Sequence, residues 1–296
     1  MTASEDVVAT GVVVGADGSE AGNAALRWAA DAAVAHGLPL TVVHARPDVE
    51  GVVQEVSGGS DVLAASAETV RARHPELAVR TLQYPEPPVQ SLLAAGETAQ
   101  FLVIGSRGLG GFRGLLVGST ALQVAPYAPC PVVVVRPQHD DTTAGPHPGD
   151  VVLGYDGSPA ANRASAFAFR HAQAVGGAVV VVSVEPGRGD PEVHDVQPGE
   201  ALPGSDTGAF NAPLLVTAES FPDVPVKFLA ATGRPAEVLI RESRGCQLLV
   251  VGMRGRGGFA GLIMGSVSQK VLAHAPSPVA FLHAAMPAKA AAGLPD

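Results

Sequence analysis

The chain has 296 residues, a length typical of two domains, and hydrophobic residues make up 47% of it, enough for a packed core. Its formal net charge of −9 disfavours non-specific nucleic-acid binding, which needs a basic surface. Only 16% of the residues are charged, which argues against general disorder.

The cysteines and the hydropathy pattern indicate where the protein works. Cys130 and Cys246 are far apart and form no CxxC, so neither a disulfide scaffold nor a redox dithiol is indicated. The N-terminus has no apolar core of signal-peptide length, and no run of about 18 apolar residues predicts a membrane span. We therefore expect a protein of the reducing cytoplasm.

In chain order, the first half alternates predicted strands and helices. An apolar, β-branched run over residues 7–15 predicts the first strand, and residues 20–37 predict a helix with Ser19 as its N-cap and Gly37 as its stop. Further strands are predicted at 40–45, 78–83, 101–106 and 131–137, and further helices at 61–75, 87–99 and 118–128. Continuous Val/Ile/Leu strands are typical of a parallel sheet covered on both faces. We therefore predict an open, doubly wound α/β domain with five parallel strands.

The second half repeats the first. GVVVGADGSE at 11–20 recurs as DVVLGYDGSP at 150–159, and GSRGLGGFRGLLVGS at 105–119 recurs as GMRGRGGFAGLIMGS at 252–266. The spacing between copies grows from 139 to 147, which places eight extra residues after the second strand of the second copy. We predict domains at 1–137 and 150–284, a polar, Pro/Gly-rich linker at 138–149 and a weakly ordered tail at 285–296.

Two loops of each half are predicted to meet at the carboxyl ends of the strands, where doubly wound sheets bind ligands. One follows the first strand and contains Asp17 or Asp156; the other is a glycine-rich loop after the fourth strand. Glycines let a backbone approach closely and point successive N–H groups at an anion. The loop then enters a helix at Gly118-Ser119-Thr120, whose N–H groups and dipole favour phosphate. Nearby cations are Arg107, Arg113, Arg254 and Arg256.

Commoner catalytic signatures are absent from the sequence. No lysine precedes Ser119 or Ser266 as a Walker loop requires, and the first turn is not a GxGxxG. There is no HExxH or kinase signature set, and the nine histidines are scattered. We therefore predict no metal site and no catalytic residue.

The spacing GxxG, nine residues, G(S/T) resembles the ATP-binding motif of the universal stress protein family and occurs in both halves. The resemblance implies two tandem adenine nucleotide α-hydrolase-like domains that bind ATP, with Mg²⁺ as an optional companion. It implies that Asp17 and Asp156, with Gly15 and Gly154, lie beside the adenosine, and that the glycine loops hold ribose and phosphates. Backbone near Val43 and Val182 would contact adenine. The implied first site comprises Gly15, Asp17, Val43, Gly105, Ser106, Arg107, Gly108, Gly110, Gly111, Gly118, Ser119 and Thr120. The implied second site comprises Gly154, Asp156, Val182, Gly252, Met253, Arg254, Gly255, Gly257, Gly258, Gly265, Ser266 and Val267.

Several alternatives stay open at this point. The glycine loops could be tight turns with no ligand role. Asp17 and Asp156 could instead cap the helix that follows them, and Ser119 and Ser266 could be N-caps of the helices they begin. The leading function is an ATP-binding regulator of the stress response without strong catalysis. The alternatives are a slow ATPase or adenylating enzyme, and an interaction protein with vestigial sites. The last strand of each repeat is expected to be an apolar sheet edge, so we expect the two edges to pair in an intramolecular pseudo-dimer. A homodimer through other faces is left open.

Overall fold

A computed structural model describes residues 9–47, 52–55, 61–109, 116–137, 146–187, 192–196, 212–257 and 263–284. The described residues fall into two compact units, one ending at Pro137 and one covering 146–284. Within these ranges, no helix is both long and apolar enough to cross a membrane.

The first half is a mostly parallel sheet with helices in the crossovers. Its strand order is β3-β4-β2-β1-β5-β6, and β3 alone among these strands runs antiparallel to its neighbour, β4. The elements are β1 Gly11–Gly15, α1 Glu20–His36, β2 Leu40–Ala45, β3 Gln54–Glu55, α2 Asp61–Arg73, β4 Val79–Tyr84, α3 Pro88–Gly96, β5 Ala99–Gly105, α4 Ser119–Tyr127 and β6 Val132–Val135.

The second half repeats this arrangement. Its strand order is β9-β10-β8-β7-β11-β12, again with an antiparallel outer strand, β9, next to β10. The elements are β7 Val151–Gly154, α5 Pro159–Val175, β8 Val179–Pro186, β9 Glu192–Asp195, α6 Ala212–Glu219, β10 Val226–Gly233, α7 Pro235–Glu242, β11 Leu248–Gly252, α8 Ser266–His274 and β12 Val279–Leu282.

The predicted doubly wound α/β fold is confirmed, and each half adds one short strand. In each half the first strand lies between the second and the fourth of the five parallel strands, so the winding direction reverses at β1 and at β7. Strands β3 and β9 are not predicted from the sequence because they are short and polar, without an apolar run. The eight extra residues of the second copy fall between β8 and α6, where β9 has four residues against two in β3.

Local signals explain the first helix of each half. The Ser19 hydroxyl oxygen accepts a hydrogen bond from the backbone N–H of Gly22 at 3.0 Å, and Gly37 ends α1 in the left-handed region with φ 64°. Ser158 and Gly176 do the same for α5. The parallel strands are buried between helices, as Val12, Val13 and Val14 show with no exposed surface.

The two cysteines are free thiols in the core. Burial raises the pKa of Cys130 to about 12 and that of Cys246 to about 12. Neither thiol is therefore a nucleophile at physiological pH, and both act as small apolar side chains.

Candidate nucleotide-binding site

The turn after the first strand is built around a carboxylate. Asp17 follows β1, and its Oδ1 accepts a hydrogen bond from the N–H of Ser19 at 2.9 Å across Gly18, which has φ 78°. Asp156 accepts from the N–H of Ser158 at 3.0 Å in the same way. The N-caps of α1 and α5 are Ser19 and Ser158. The alternative that Asp17 and Asp156 cap these helices is therefore wrong.

The second oxygen of each carboxylate joins this turn to the glycine loop, defined as residues 105–118 in the first half and 252–265 in the second. Asp17 Oδ2 accepts from the N–H of Leu109 at 3.2 Å, and Asp156 Oδ2 accepts from the N–H of Arg256 at 3.1 Å. The capping serines add a second link, because their hydroxyls donate to the carbonyls of Arg107 at 3.4 Å and Arg254 at 3.2 Å. The structure thus brings the two predicted loops together in both halves.

Two glycines in each loop are required by this close packing. A Cβ on Gly108 would lie 2.6 Å from Asp17 Oδ2, and one on Gly105 would lie 2.7 Å from the carbonyl carbon of Ala21 in α1. The equivalent glycines, Gly255 and Gly252, are crowded by Asp156 and by Ala160. A Cβ on Gly257, by contrast, would meet nothing within 4 Å. The close contacts arise between the loop and its carboxylate, so Gly108 and Gly255 do more than allow a tight turn.

Each glycine loop ends at a helix that no side chain caps. Gly118 is the N-cap of α4, with φ −75° and ψ 156°, and its N–H donates to the carbonyl of Ser106 at 2.8 Å. Gly265 is the N-cap of α8 and donates to the carbonyl of Met253 at 2.9 Å. Ser119 and Ser266 are the first helical residues, so the alternative that they are N-caps is wrong.

An uncapped helix start is suited to an anion. The first-turn N–H groups of α4 and α8 receive no side-chain cap from the described residues, and the helix dipole places partial positive charge there. Helices α1 and α5 of the same chain are both capped by serines. The helices that follow the glycine loops share this lack of a side-chain cap with α3 and α7, and they are the ones whose first-turn donors adjoin a glycine loop.

A cleft of about 130 Å³ opens at the carboxyl ends of β1, β2 and β5 in the first half. Its wall on the β2 and α3 side is largely apolar, with Val43, Pro88 and Leu92. Arg107, from the glycine loop after β5, and Thr120, from α4, supply polar lining. The predicted residues that line it are Gly15, Asp17, Val43, Gly105, Arg107, Gly108 and Thr120.

Other predicted residues lie beside the cleft, are buried, or fall outside the description. Gly118 and the exposed Ser119 are at the helix start, whereas Ser106 and its counterpart Met253 are each 1% exposed and do not reach a ligand surface. In the second half, Gly154, Gly255 and Gly265 occupy the positions equivalent to Gly15, Gly108 and Gly118. Outside the described residues lie Gly110, Gly111, Arg113, Gly114, Gly258 and Gly261.

The proposed adenine contacts use backbone that already takes part in the sheet. The carbonyl of Val43 accepts from the N–H of Ala16 at 2.9 Å, and the carbonyl of Val182 accepts from the N–H of Tyr155 at 2.9 Å. A carbonyl oxygen has two lone pairs, so each can accept one further hydrogen bond from a base.

Arg107 lines the first-half cleft, and Arg136 adds a second positive charge beside the glycine loop, on a protein of net charge −9. Burial, together with the positive charge of Arg107, lowers the pKa of the Arg136 guanidinium. Arg136 Nη1 also donates to the carbonyl of Leu116 at 2.9 Å, which ties it to the end of the glycine loop. Two positive charges at this loop favour an anion beside it. Arg136 is not among the predicted site residues, although it follows the last strand of the first half directly.

Most apolar residues that line the cleft, and one imidazole, are not among the predicted site residues. His44 lies at the end of β2, and its Nδ1 donates to the carbonyl of Ala16 at 2.7 Å. Residues at the carboxyl ends of parallel strands are the positions that reach a switch-point ligand, and that rule points to His44. The missed lining residues are Ala16, Gly22, His44, Ala45, Pro88, Ser91, Leu92 and Ile104.

Comparison with known proteins agrees with this architecture. The universal stress protein family matches residues 10–136 and again residues 149–283. A universal stress protein of Mycolicibacterium smegmatis is 34% identical over 291 residues, covering 91% of this chain and 95% of the relative. One of Mycobacterium tuberculosis is 35% identical over 294 residues, with the same coverage of 91% and 95%.

Solved structures show the same fold at low sequence identity. A universal stress protein from Archaeoglobus fulgidus is 21% identical with a TM-score of 0.60, covering 93% of this chain and 98% of its own. A putative universal stress protein from Pseudomonas aeruginosa is 18% identical with a TM-score of 0.56, covering 94% of each chain. The duplicated family match and the relatives that span nearly the whole chain establish that it belongs to the universal stress protein family, in a tandem two-domain form.

Proposed function

We propose that each half binds one molecule of ATP and that the protein is a nucleotide-linked regulator of the stress response without strong catalysis. One observation carries this proposal. In both halves, a carboxylate joins the first turn to a glycine loop that leads into an uncapped helix start. Because this arrangement recurs after duplication, we assign a nucleotide site to each copy.

The residues of the first half fit the three parts of a nucleotide. The first turn of α4 with Arg107 suits the phosphates, since N–H donors, the helix dipole and a cation that lines the cleft act on the same ligand. The Asp17 oxygens each accept one backbone N–H, which leaves lone pairs for ribose hydroxyls. The apolar wall formed by Val43 and Leu92 suits a planar base.

The same residues are poorly suited to hydrolysis. Phosphoryl transfer needs an oriented water, a base and usually a metal held by carboxylates. Among the described residues that line the first cleft, Asp17 is the one carboxylate, which is too few to hold a metal and also act as a base. We therefore propose binding with little turnover, rather than a slow ATPase or an adenylating enzyme. ATP that is bound but not hydrolysed would be a reversible, highly charged ligand. The fraction of sites that hold it would then depend on the ATP concentration around the protein.

Native mass spectrometry of the full chain tests this function. We expect purified protein to carry, or to take up on titration, at most two ATP molecules per chain, and calorimetry to measure their affinities. The double variant Asp17→Ala/Asp156→Ala is the matched negative control, because it removes the link between the two loops in each half. A chain that binds no ATP, ADP or AMP at millimolar concentration would refute the proposal.

We further propose that the two halves form an intramolecular pseudo-dimer through their last parallel strands, β6 and β12. The support is that Val132–Val135 and Val279–Leu282 are apolar strands that end the parallel order of their own halves. A protease site inserted within residues 138–145 tests this. We expect the cut halves to remain one particle in native mass spectrometry; their separation would contradict the pseudo-dimer.

We also assign the protein to the cytoplasm. The support is chemical: both cysteines are free and buried, a state that suits a reducing compartment. Fractionation of the producing cells, with the protein detected by antibody, tests this assignment.

A further inference from the structure

One imidazole in the first cleft has the hydrogen-bonding role of its Nδ1 set by a backbone carbonyl. His44 Nδ1 lies 2.7 Å from the backbone carbonyl of Ala16, and a carbonyl only accepts hydrogen bonds. Nδ1 therefore carries the proton. In a neutral imidazole this leaves Nε2 as a hydrogen-bond acceptor. Among the residues that the structure describes, no hydrogen bond involves Nε2 of His44.

This acceptor belongs to the end of the cleft that suits a base. His44 lines the cleft at the end of β2, next to Val43 and Ala45 and on the side of the apolar α3 residues. Arg107 and Thr120, which suit phosphates, belong to the glycine loop after β5 and to α4, and β5 lies on the other side of β1 from β2. A nucleotide with its phosphates at α4 therefore directs its base toward β2 and His44.

We propose that His44 makes the first-half site selective for a base that presents an exocyclic amino group, such as adenine, over one that presents a carbonyl at the same position. An amino group donates to Nε2, whereas a carbonyl oxygen places two acceptors against each other and leaves both unsatisfied. This inference rests on the proposed nucleotide binding and adds to it a residue that determines base specificity.

The second half provides a natural contrast. The residue equivalent to His44 is Ser183, whose hydroxyl both donates and accepts. A serine there accommodates an amino group or a carbonyl by rotating its hydroxyl hydrogen. The two halves therefore differ in base selectivity, with the first half discriminating and the second half permissive.

ATP and ITP are the probes, because ATP has an amino group and ITP has a carbonyl at the same position of the purine. Calorimetry on the full chain at pH 8, where an imidazole is ordinarily neutral, measures both affinities. We expect one site to prefer ATP by roughly tenfold and the other to bind both nucleotides with similar affinity. A chain whose two sites both bind ATP and ITP equally would overturn the inference.

Two exchange variants locate the effect. His44→Ser gives the first half the residue of the second, and we expect it to remove the roughly tenfold ATP preference while the protein still binds ATP at both sites. The reciprocal variant, Ser183→His, is expected to add selectivity to the second site. An unchanged ATP-to-ITP ratio in a folded His44→Ser chain would also overturn the inference. If the chain binds ATP but His44→Ser leaves the ATP-to-ITP affinity ratio unchanged, the proposed function still holds and only this inference fails. If the unmodified chain binds no nucleotide, the proposed function itself is refuted.

Discussion

Gly118, the N-cap of α4, provides a direct test of the phosphate role of the glycine loop. Its φ of −75° and ψ of 156° are extended and open to any residue, so a side chain there adds no backbone strain. A Cβ would lie 3.2 Å from Arg107 Cα and 3.5 Å from the Ser106 oxygen. Alanine therefore needs a shift of only a few tenths of an ångström, whereas the two methyl groups of valine push the loop away from the helix start.

The expected loss follows from the donors at stake. Displacing the loop opens the bond from Gly118 N–H to the Ser106 carbonyl and misaligns the first-turn N–H groups of α4. A hydrogen bond to a charged group contributes about 1.5–3 kcal/mol, so losing one weakens ATP binding by about tenfold to a hundredfold. Because the side chain enters a partly exposed loop, we expect the free energy of unfolding to change by about 1 kcal/mol or less.

Calorimetry should separate the two halves. We expect Gly118→Val to weaken one of two ATP binding events by about tenfold to a hundredfold, Gly265→Val to weaken the other, and the double variant to weaken both. The alanine variants serve as graded controls, and Gly265→Ala should be the mildest, since its Cβ would lie 3.5 Å or more from any neighbour. Unchanged stoichiometry and affinity in a folded double valine variant would refute a phosphate role for these loops.

Three further outcomes are expected. Gly105→Ala should lower the free energy of unfolding in urea by about 1–3 kcal/mol, because its Cβ would lie 2.7 Å from Ala21 of α1, whereas Gly257→Ala, which meets nothing, should not. His147→Ala should cost about 1–3 kcal/mol at pH 7, because it removes the buried partner 3.2 Å from Glu242. That hydrogen bond holds the pKa of Glu242 below its ordinary value, so the stability it supplies is lost as pH falls through this lowered pKa, and the two proteins should converge in acid titrations. Phosphate release from ATP should stay far below one per second in steady-state assays, since median enzymes turn over near 10 per second.

The sequence predicted the parallel strands well because their signal is local and strong. The runs at residues 40–45 and 101–106 are mostly apolar and rich in Val, Leu and Ile, and the structure places strands at Leu40–Ala45 and Ala99–Gly105. The outer strands β3 and β9 carry no such signal. They are short, polar and largely exposed. They are strands because they pair with β4 and β10, and not because their own residues show a strand pattern.

The site was predictable where backbone chemistry determines it. Asp17 and the loop glycines follow from spacing and duplication, since close approach requires those residue types at those places. Arg136 and His44 were not predictable in this way. Each comes from the end of a different strand, and their roles depend on which strands become neighbours in the sheet. Which strands are neighbours in the sheet becomes known only when the fold is known.

The differences between the two halves separate the frame of the site from its ligand contacts. Residues that link the loops are the same in both copies: Asp17 and Asp156, Ser19 and Ser158, Gly108 and Gly255. Some residues placed to touch a nucleotide differ, since His44 and Thr120 are replaced by Ser183 and Val267, whereas Val43 and Arg107 are kept as Val182 and Arg254. Carboxylate-to-backbone bonds tolerate no substitution without opening the loop, whereas side chains at the base and phosphate ends can change without disturbing it. The linkage between the first turn and the glycine loop is the same in both halves, whereas some side chains that line the site differ. Two nucleotide sites built in this way should have different specificities, so the halves should respond to different nucleotides or to different concentrations of the same one.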